Sequence, residues 1–210
     1  MAKKNIATVP TVSVIQMMAA PEAYDELPKK YRTDFIEQEI AERRKYINSN
    51  LAEFTELSIH KANLAHLANY KKYGCENLYK NKKYMANPEF YFNIMLTGPK
   101  NLLAMKEAGI VIGCGTDAGV PLTYHGTLWR EMEILTRIGF SNAEVLRSAT
   151  FNNAKIIGMV DKIGTVDTGK IADMVILKEN PLKKIEACRR PSVVIKDGKL
   201  YDVGKIAFGT

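Results

Sequence analysis

The sequence predicts an α/β fold, because two short β-like runs lie on either side of a long helix-patterned stretch. The first run, Asn5–Thr11 (NIATVPT), is rich in strand formers, with Pro10 marking the exit of the strand rather than its middle. The second, Ile110-Val111-Ile112 within AGIVIGCGTD, has no polar alternation and reads as a strand buried on both faces, as in parallel sheets. Strand, helix, strand implies two parallel neighbours, Asn5–Pro10 and Ile110–Gly115, joined by a right-handed crossover. Beyond Ile163 the texture changes to short β runs, which predicts a small β unit of its own.

A chain of 210 residues is long enough for one good-sized domain with a small appendage. The expected division is 1–160 for the α/β part, with a helical excursion at about 21–84, and 161–210 for the β part. In the excursion Phe35, Ile36, Ile40 and Ile47 recur near helical spacing while EIAERRKY supplies a wet face. Asn87-Pro88-Glu89 has the form of a cap followed by proline at the first helical position. Phe92, Met95, Leu102, Leu103 and Met105 follow as the apolar positions, and Ala108-Gly109 closes the segment.

After the second strand, Thr127 opens a helix with Leu128, Met132, Leu135 and Ile138 on one stripe, stopped by Gly139. Ser141 with Glu144 three residues on is a capping box for the next helix. Phe151-Asn152-Asn153 leads into the short helix AKIIG, stopped by Gly158. In the β unit, Val175-Ile176-Leu177 and Val193-Val194-Ile195 are strands and Asp197-Gly198 is a hairpin turn.

Composition narrows the function classes. A hydrophobic share of 46% comes with 25% charged residues, and no run approaches the roughly 18 apolar residues of a membrane span. Met1–Asn5 carries no signal-peptide pattern, and three isolated cysteines, Cys75, Cys114 and Cys188, have no metal or redox spacing, so reduced thiols and a cytoplasmic location are expected. The net charge of +7 is spread out. Its densest stretch, Lys71-Lys72 through Lys80 and Lys82-Lys83, interleaves with Tyr70, Tyr73, Tyr79 and Tyr84 and reads as a solvated helical face, so neither nucleic acid nor membrane is an expected partner.

The candidate site lies where the second strand surfaces, in Gly113-Cys114-Gly115-Thr116-Asp117-Ala118-Gly119. Ligands bind at the carboxyl ends of strands in α/β folds, which makes Asp117 a candidate catalytic acid or base; an Asp in a Gly-rich turn is also an ordinary turn former. The stretch fits G-x-G-x-x-A, but a dinucleotide site there would set Asp117 beside a pyrophosphate of like charge. Pro121 also interrupts the helix entry, and Thr127 comes too late to offer its N-terminus to a phosphate. Arg130, Glu131 and Glu133 on the following helix are either drawn into the site or form a charged helical face, and the charged face is the favoured reading.

Taken in order, AGIVIGCGTDAG, HGTLWREMEIL, AT followed by NNAKIIG, and IGTVDTGKIADMVIL resemble the C-terminal part of the amidohydrolase superfamily, in particular its imidazolonepropionase and prolidase-like branch. The resemblance implies a (β/α)₈ barrel of a metal-dependent hydrolase, with a composite β-sandwich built from both chain ends. NIATVPT would be barrel strand seven and IVIGCGTD strand eight. It further implies a divalent metal, zinc foremost with manganese or iron as alternatives, a small-molecule substrate with a C–N bond, and Asp117 as metal ligand and proton shuttle. His125 either orients substrate or orders the helix entry.

The departure from that pattern is as informative. Enzymes of this kind carry a His-x-His on the first barrel strand and further His and Lys ligands on strands four to six, and here there is no His-x-His. The three histidines are His60, His66 and His125. The first two, on one helix, would point about 120° apart and could not share a metal. Two readings follow. The chain is the C-terminal part of a hydrolase, inactive until an N-terminal barrel half or an oligomer partner supplies the missing ligands; alternatively it is a non-catalytic fragment or partner-binding remnant.

Overall fold

The computed structural model describes residues 6–18, 24, 28–48, 88–119 and 123–205. The expectations for His60, His66 and the Lys/Tyr-rich stretch therefore lie outside the described residues. Two compact units emerge. One gathers Met1–Thr11, Leu102–Gly115 and Thr127–Thr210, and the other gathers Val12–Asn101 and Thr116–Gly126.

In the second unit the described part of Val12–Asn101 is mainly helical, while Thr116–Gly126 is turn and irregular backbone where described. The unit contains α1 (Val12–Met18), a short 3₁₀ turn at Lys29–Tyr31, α2 (Asp34–Asn48) and most of α3 (Pro88–Glu107), which begins at the proline that suits a first helical turn. Its core is aromatic: Tyr24, Tyr31, Ile36, Ile40, Tyr91, Phe92 and Met95 are buried together. Phe92 stands 5.8 Å from the Tyr24 ring and 6.3 Å from the Tyr31 ring. The polar tips find partners, Tyr31 donating to Asn93 Oδ1 at 3.0 Å and Tyr24 to Glu37 Oε1 at 3.3 Å.

In the first unit the expected parallel sense is observed, as a single bridge rather than two full strands. Thr8 pairs with Ile112, its N–H donating to Val111 O at 3.0 Å while Gly113 N–H donates to Thr8 O at 2.8 Å. Helix α4 (Leu128–Ile138) buries Met132, Leu135 and Ile138 of the expected stripe together with Trp129 and Ile134, and Gly139 at φ 120° ends it. Helix α5 (Asn142–Arg147) opens with the Ser141–Glu144 capping box in full. The short helix expected at AKIIG is present, opening one residue earlier at Asn153. Backbone coiling continues from α5 through a π turn at Ser148–Asn152 into α6 (Asn153–Ile156), the wider turn absorbing an extra residue.

The C-terminal β residues form a three-stranded antiparallel meander, β1 (Met174–Ile176), β2 (Val193–Lys196) and β3 (Lys199–Asp202), in the order β1-β2-β3. Val175, Val194 and Tyr201 face each other across it. A 3₁₀ segment at Ile185–Arg189 packs on α4, with the Arg189 guanidinium 4.4 Å from the centre of the Trp129 ring. No helix among the described residues is long and apolar enough to cross a membrane.

Candidate functional site

The strand leading to Asp117 is built with little steric room. A Cβ at Gly113 would run into Asn153 Oδ1 and lie 2.8 Å from Ile156 Cδ1 and 3.0 Å from Val9 Cγ2, and one at Gly115 would lie 2.7 Å from Val9 Cγ1. These two glycines are needed because neighbouring groups already fill the space of a side chain. Between them Cys114 is buried, and burial, helped by the charge of Glu131, pushes its thiol well above the usual range. Cys114 is a free but inert thiol.

Thr8 uses one edge of this strand. The other edge is met by side-chain amides. Asn153 Oδ1 accepts from Cys114 N–H at 3.0 Å, Asn153 Nδ2 donates to Cys114 O at 2.8 Å, and Asn152 Nδ2 donates to Ile112 O at 2.8 Å. Sequence reasoning took the two asparagines only as a lead-in to a helix. The signal that could have flagged them is their doubling beside a Gly-x-Gly strand that has no space for side chains.

The segment Thr116–Gly126 carries both predicted site residues. Asp117 is exposed and holds a left-handed backbone, φ 52°, which Asp tolerates better than most residues. Gly119 follows at φ 109°, and its N–H donates to Thr123 O at 3.0 Å, closing the loop. Thr123 and Tyr124 are buried, whereas His125 is exposed just before Gly126 at φ 84°. Asp117 and His125 thus share one short segment, and both face solvent.

The charged-face reading of α4 needs correction. Glu131 is fully buried, so it does not lie on a wet face. Burial also raises the Glu133 carboxyl above its ordinary value, against the lowering influence of Arg137, 3.9 Å away.

An acidic oxygen and an imidazole are suitable donors for a divalent cation. A catalytic site takes about three protein ligands, and no group of three or more His, Cys, Asp or Glu side chains suited to a metal occurs among the described residues. Asp117 and His125 are side chains of these two kinds.

The model of the Amidohydrolase family matches residues 49–201. The chain belongs to that family. Among curated members, an imidazolonepropionase from Shouchella clausii is 31% identical over 117 residues, which is 53% of this chain and 26% of the relative. One from Thermoplasma acidophilum is 35% identical over 80 residues, covering 38% of this chain and 19% of the relative. The matched stretch therefore spans about a quarter or less of those relatives' length. Among solved structures, a Bifidobacterium longum protein assigned as a prolidase is 34% identical with a TM-score of 0.51, covering 60% of this chain and 31% of its own. A further amidohydrolase structure is 29% identical with a TM-score of 0.50, covering 63% and 32%.

Proposed function

We propose that this chain supplies the C-terminal barrel strands of a metal-dependent amidohydrolase that cleaves C–N bonds of cyclic amides or Xaa-Pro-like substrates. Asp117 is its catalytic carboxylate. The observation that carries the reading is the placement of an exposed Asp, in a left-handed turn, directly after the buried strand, inside the segment matched by the family. In this reading strands seven and eight are the runs around Thr8 and Ile112, and the meander from Met174 to Asp202 is part of a composite sandwich.

A divalent metal, zinc foremost, would lower the pKa of the attacking water and polarise the scissile carbonyl. Asp117 would serve as one ligand, take the proton of that water and return it to the leaving amine. His125, exposed in the same segment, is proposed to orient the substrate. The remaining ligands come from residues outside those described, most simply from an N-terminal barrel half upstream or in a partner chain. The free thiols of Cys114 and Cys188 suit a reducing, cytoplasmic setting.

The test is reconstitution. The chain alone, dialysed after loading with zinc or manganese, is expected to retain no stoichiometric metal and to hydrolyse neither imidazolones nor Xaa-Pro dipeptides. Co-expressed with a segment carrying the first six barrel strands, it is expected to gain both properties, and Asp117→Asn is expected to abolish turnover with circular dichroism unchanged. Robust hydrolysis by the isolated chain, or full activity of Asp117→Asn in the assembly, would overturn the proposal.

A further inference from the structure

Thr8 binds the strand through Val111 O and Gly113 N. Because neighbouring residues of a strand direct their backbone groups to opposite edges, those of Ile112 and Cys114 point away from Thr8. A buried backbone group without a partner is costly, so this second edge needs an occupant. Its occupants are Asn152 and Asn153, which between them satisfy Ile112 O, Cys114 N–H and Cys114 O. The Asn153 amide matches one residue of a strand, offering an acceptor to the N–H and a donor to the C=O of the same residue.

Two further features fit this arrangement. The asparagines lie where the π turn at Ser148–Asn152 hands over to α6, and π turns are rare and concentrate at functional sites. Gly113 has no side chain where one would strike Asn153 Oδ1. Pinned on both edges, residues 112–114 leave little freedom to the chain just before Asp117, three residues beyond Cys114.

We propose that Asn153, assisted by Asn152, is a positioning residue: its side-chain amide takes the place of an adjacent strand and fixes the exit from which the Asp117 carboxylate projects. This rests on the reading of Asp117 as the proton-transferring group. The amide acts through the backbone of Cys114 and touches no substrate.

The experiment uses nuclear magnetic resonance on the isotope-labelled full chain. Wild type is expected to show scalar coupling across the hydrogen bond from the Cys114 amide nitrogen to the Asn153 side-chain carbonyl carbon. In Asn153→Ala the Cys114 amide is expected to exchange about tenfold faster or more, as for loss of one hydrogen bond, and the Asp117 carboxyl carbon signal is expected to shift. Asn152→Ala, which loses only the bond to Ile112 O, is expected to leave Cys114 N–H protected. Asn153→Asp, which keeps the acceptor for Cys114 N–H but loses the donor to Cys114 O, is expected to recover part of that protection. If Asn153→Ala does not fold, the wild-type coupling and Asn153→Asp still decide.

A missing coupling in wild type, or unchanged Cys114 exchange in folded Asn153→Ala, would sink the clamp. Faster exchange with an unmoved Asp117 carboxyl signal would reduce it to a structural device and overturn the positioning role. Should the reading of Asp117 itself fail, Asp117→Asn would keep its activity in the reconstituted enzyme while these couplings and exchange rates stood unchanged.

Discussion

Asp117 and Asp197 have nearly the same positive φ, 52° and 49°, in turns of different kinds. Asp197 and Gly198, the latter at φ 76°, close the hairpin between β2 and β3, with Lys196 and Lys199 as the last pair. A two-residue hairpin of this type requires positive φ at both central residues, and Asn-Gly or Asp-Gly is the pair that tolerates it. The turn is also tied from outside. Asp197 N–H donates to Asp173 Oδ1 at 2.8 Å and Gly198 N–H to Ala172 O at 3.0 Å. Closing the ladder accounts for Asp197 in full.

Asp117 lies outside that sheet and is followed by Ala118, so hairpin closure does not account for its conformation. The left-handed turn leaves a carboxylate exposed directly after a buried strand. The lesson of the contrast is that an unusual φ carries a functional argument only where the local fold does not already require it.

The largest expected effect separates the two turns by activity. Glycine accepts left-handed backbone without a Cβ clash, so Asp117→Gly and Asp197→Gly each preserve the turn and remove only the side chain. In the reconstituted enzyme Asp117→Gly is expected to lower kcat by about 10²–10⁴. Asp197→Gly is expected to leave kcat unchanged, and both are expected to stay within about 1 kcal/mol of wild type in urea unfolding. Equal losses of kcat in the two variants would erase the distinction.

A second pair contrasts the ground on which each turn is built. Gly113→Ala would drive a Cβ into Asn153, Ile156 and Val9, and overpacking of that sort is expected to destabilise by about 1–3 kcal/mol. Gly198→Ala meets nothing within 4 Å, so its penalty is conformational alone, about 1 kcal/mol. Denaturant midpoints at unchanged m-value measure both. A milder effect at Gly113 than at Gly198 would mean that the strand before Asp117 has more slack than its contacts imply.

Which parts were legible in the sequence follows from the range of the interactions involved. The stripe of Met132, Leu135 and Ile138, the Ser141–Glu144 box and the Asp197-Gly198 turn are set by residues a few positions apart, and each appears as the sequence predicts. The parallel sense at Thr8 and Ile112 also followed from element order. The asparagine clamp was hidden because it joins side chains to a backbone 39 and 40 residues away, which leaves no local period. Glu131 was misread for a related reason: its burial is decided by what packs on α4, and a charged residue in a helical pattern ordinarily marks the wet face. Asp117 was visible as a motif, but its left-handed conformation was not, since Gly-Thr-Asp-Ala-Gly permits several turns.

The smallest expected effect concerns pH and only the hairpin. The Asp173 carboxyl is held below its ordinary value, first by the hydrogen bond from the Asp197 backbone N–H and then by Lys196, whose Nζ lies 2.7 Å from Asp173 Oδ2. A carboxyl whose pKa is lower folded than unfolded contributes its stabilisation above the unfolded value and loses it as pH falls through the folded one. The hairpin turn is therefore expected to be fully tied at neutral pH and to loosen only in acid below the usual Asp range. The Asp197 amide proton, shifted while it donates to a carboxylate, is expected to titrate with Asp173 in spectra collected from neutral pH down to about 2. Asp173→Asn is expected to flatten that titration while β2 and β3 stay paired. An Asp197 amide that titrates at or above the ordinary Asp value, or still titrates in Asp173→Asn, would show that the turn is not held by this carboxylate, and Asp197 would then need an account of its left-handed backbone beyond the ladder it closes.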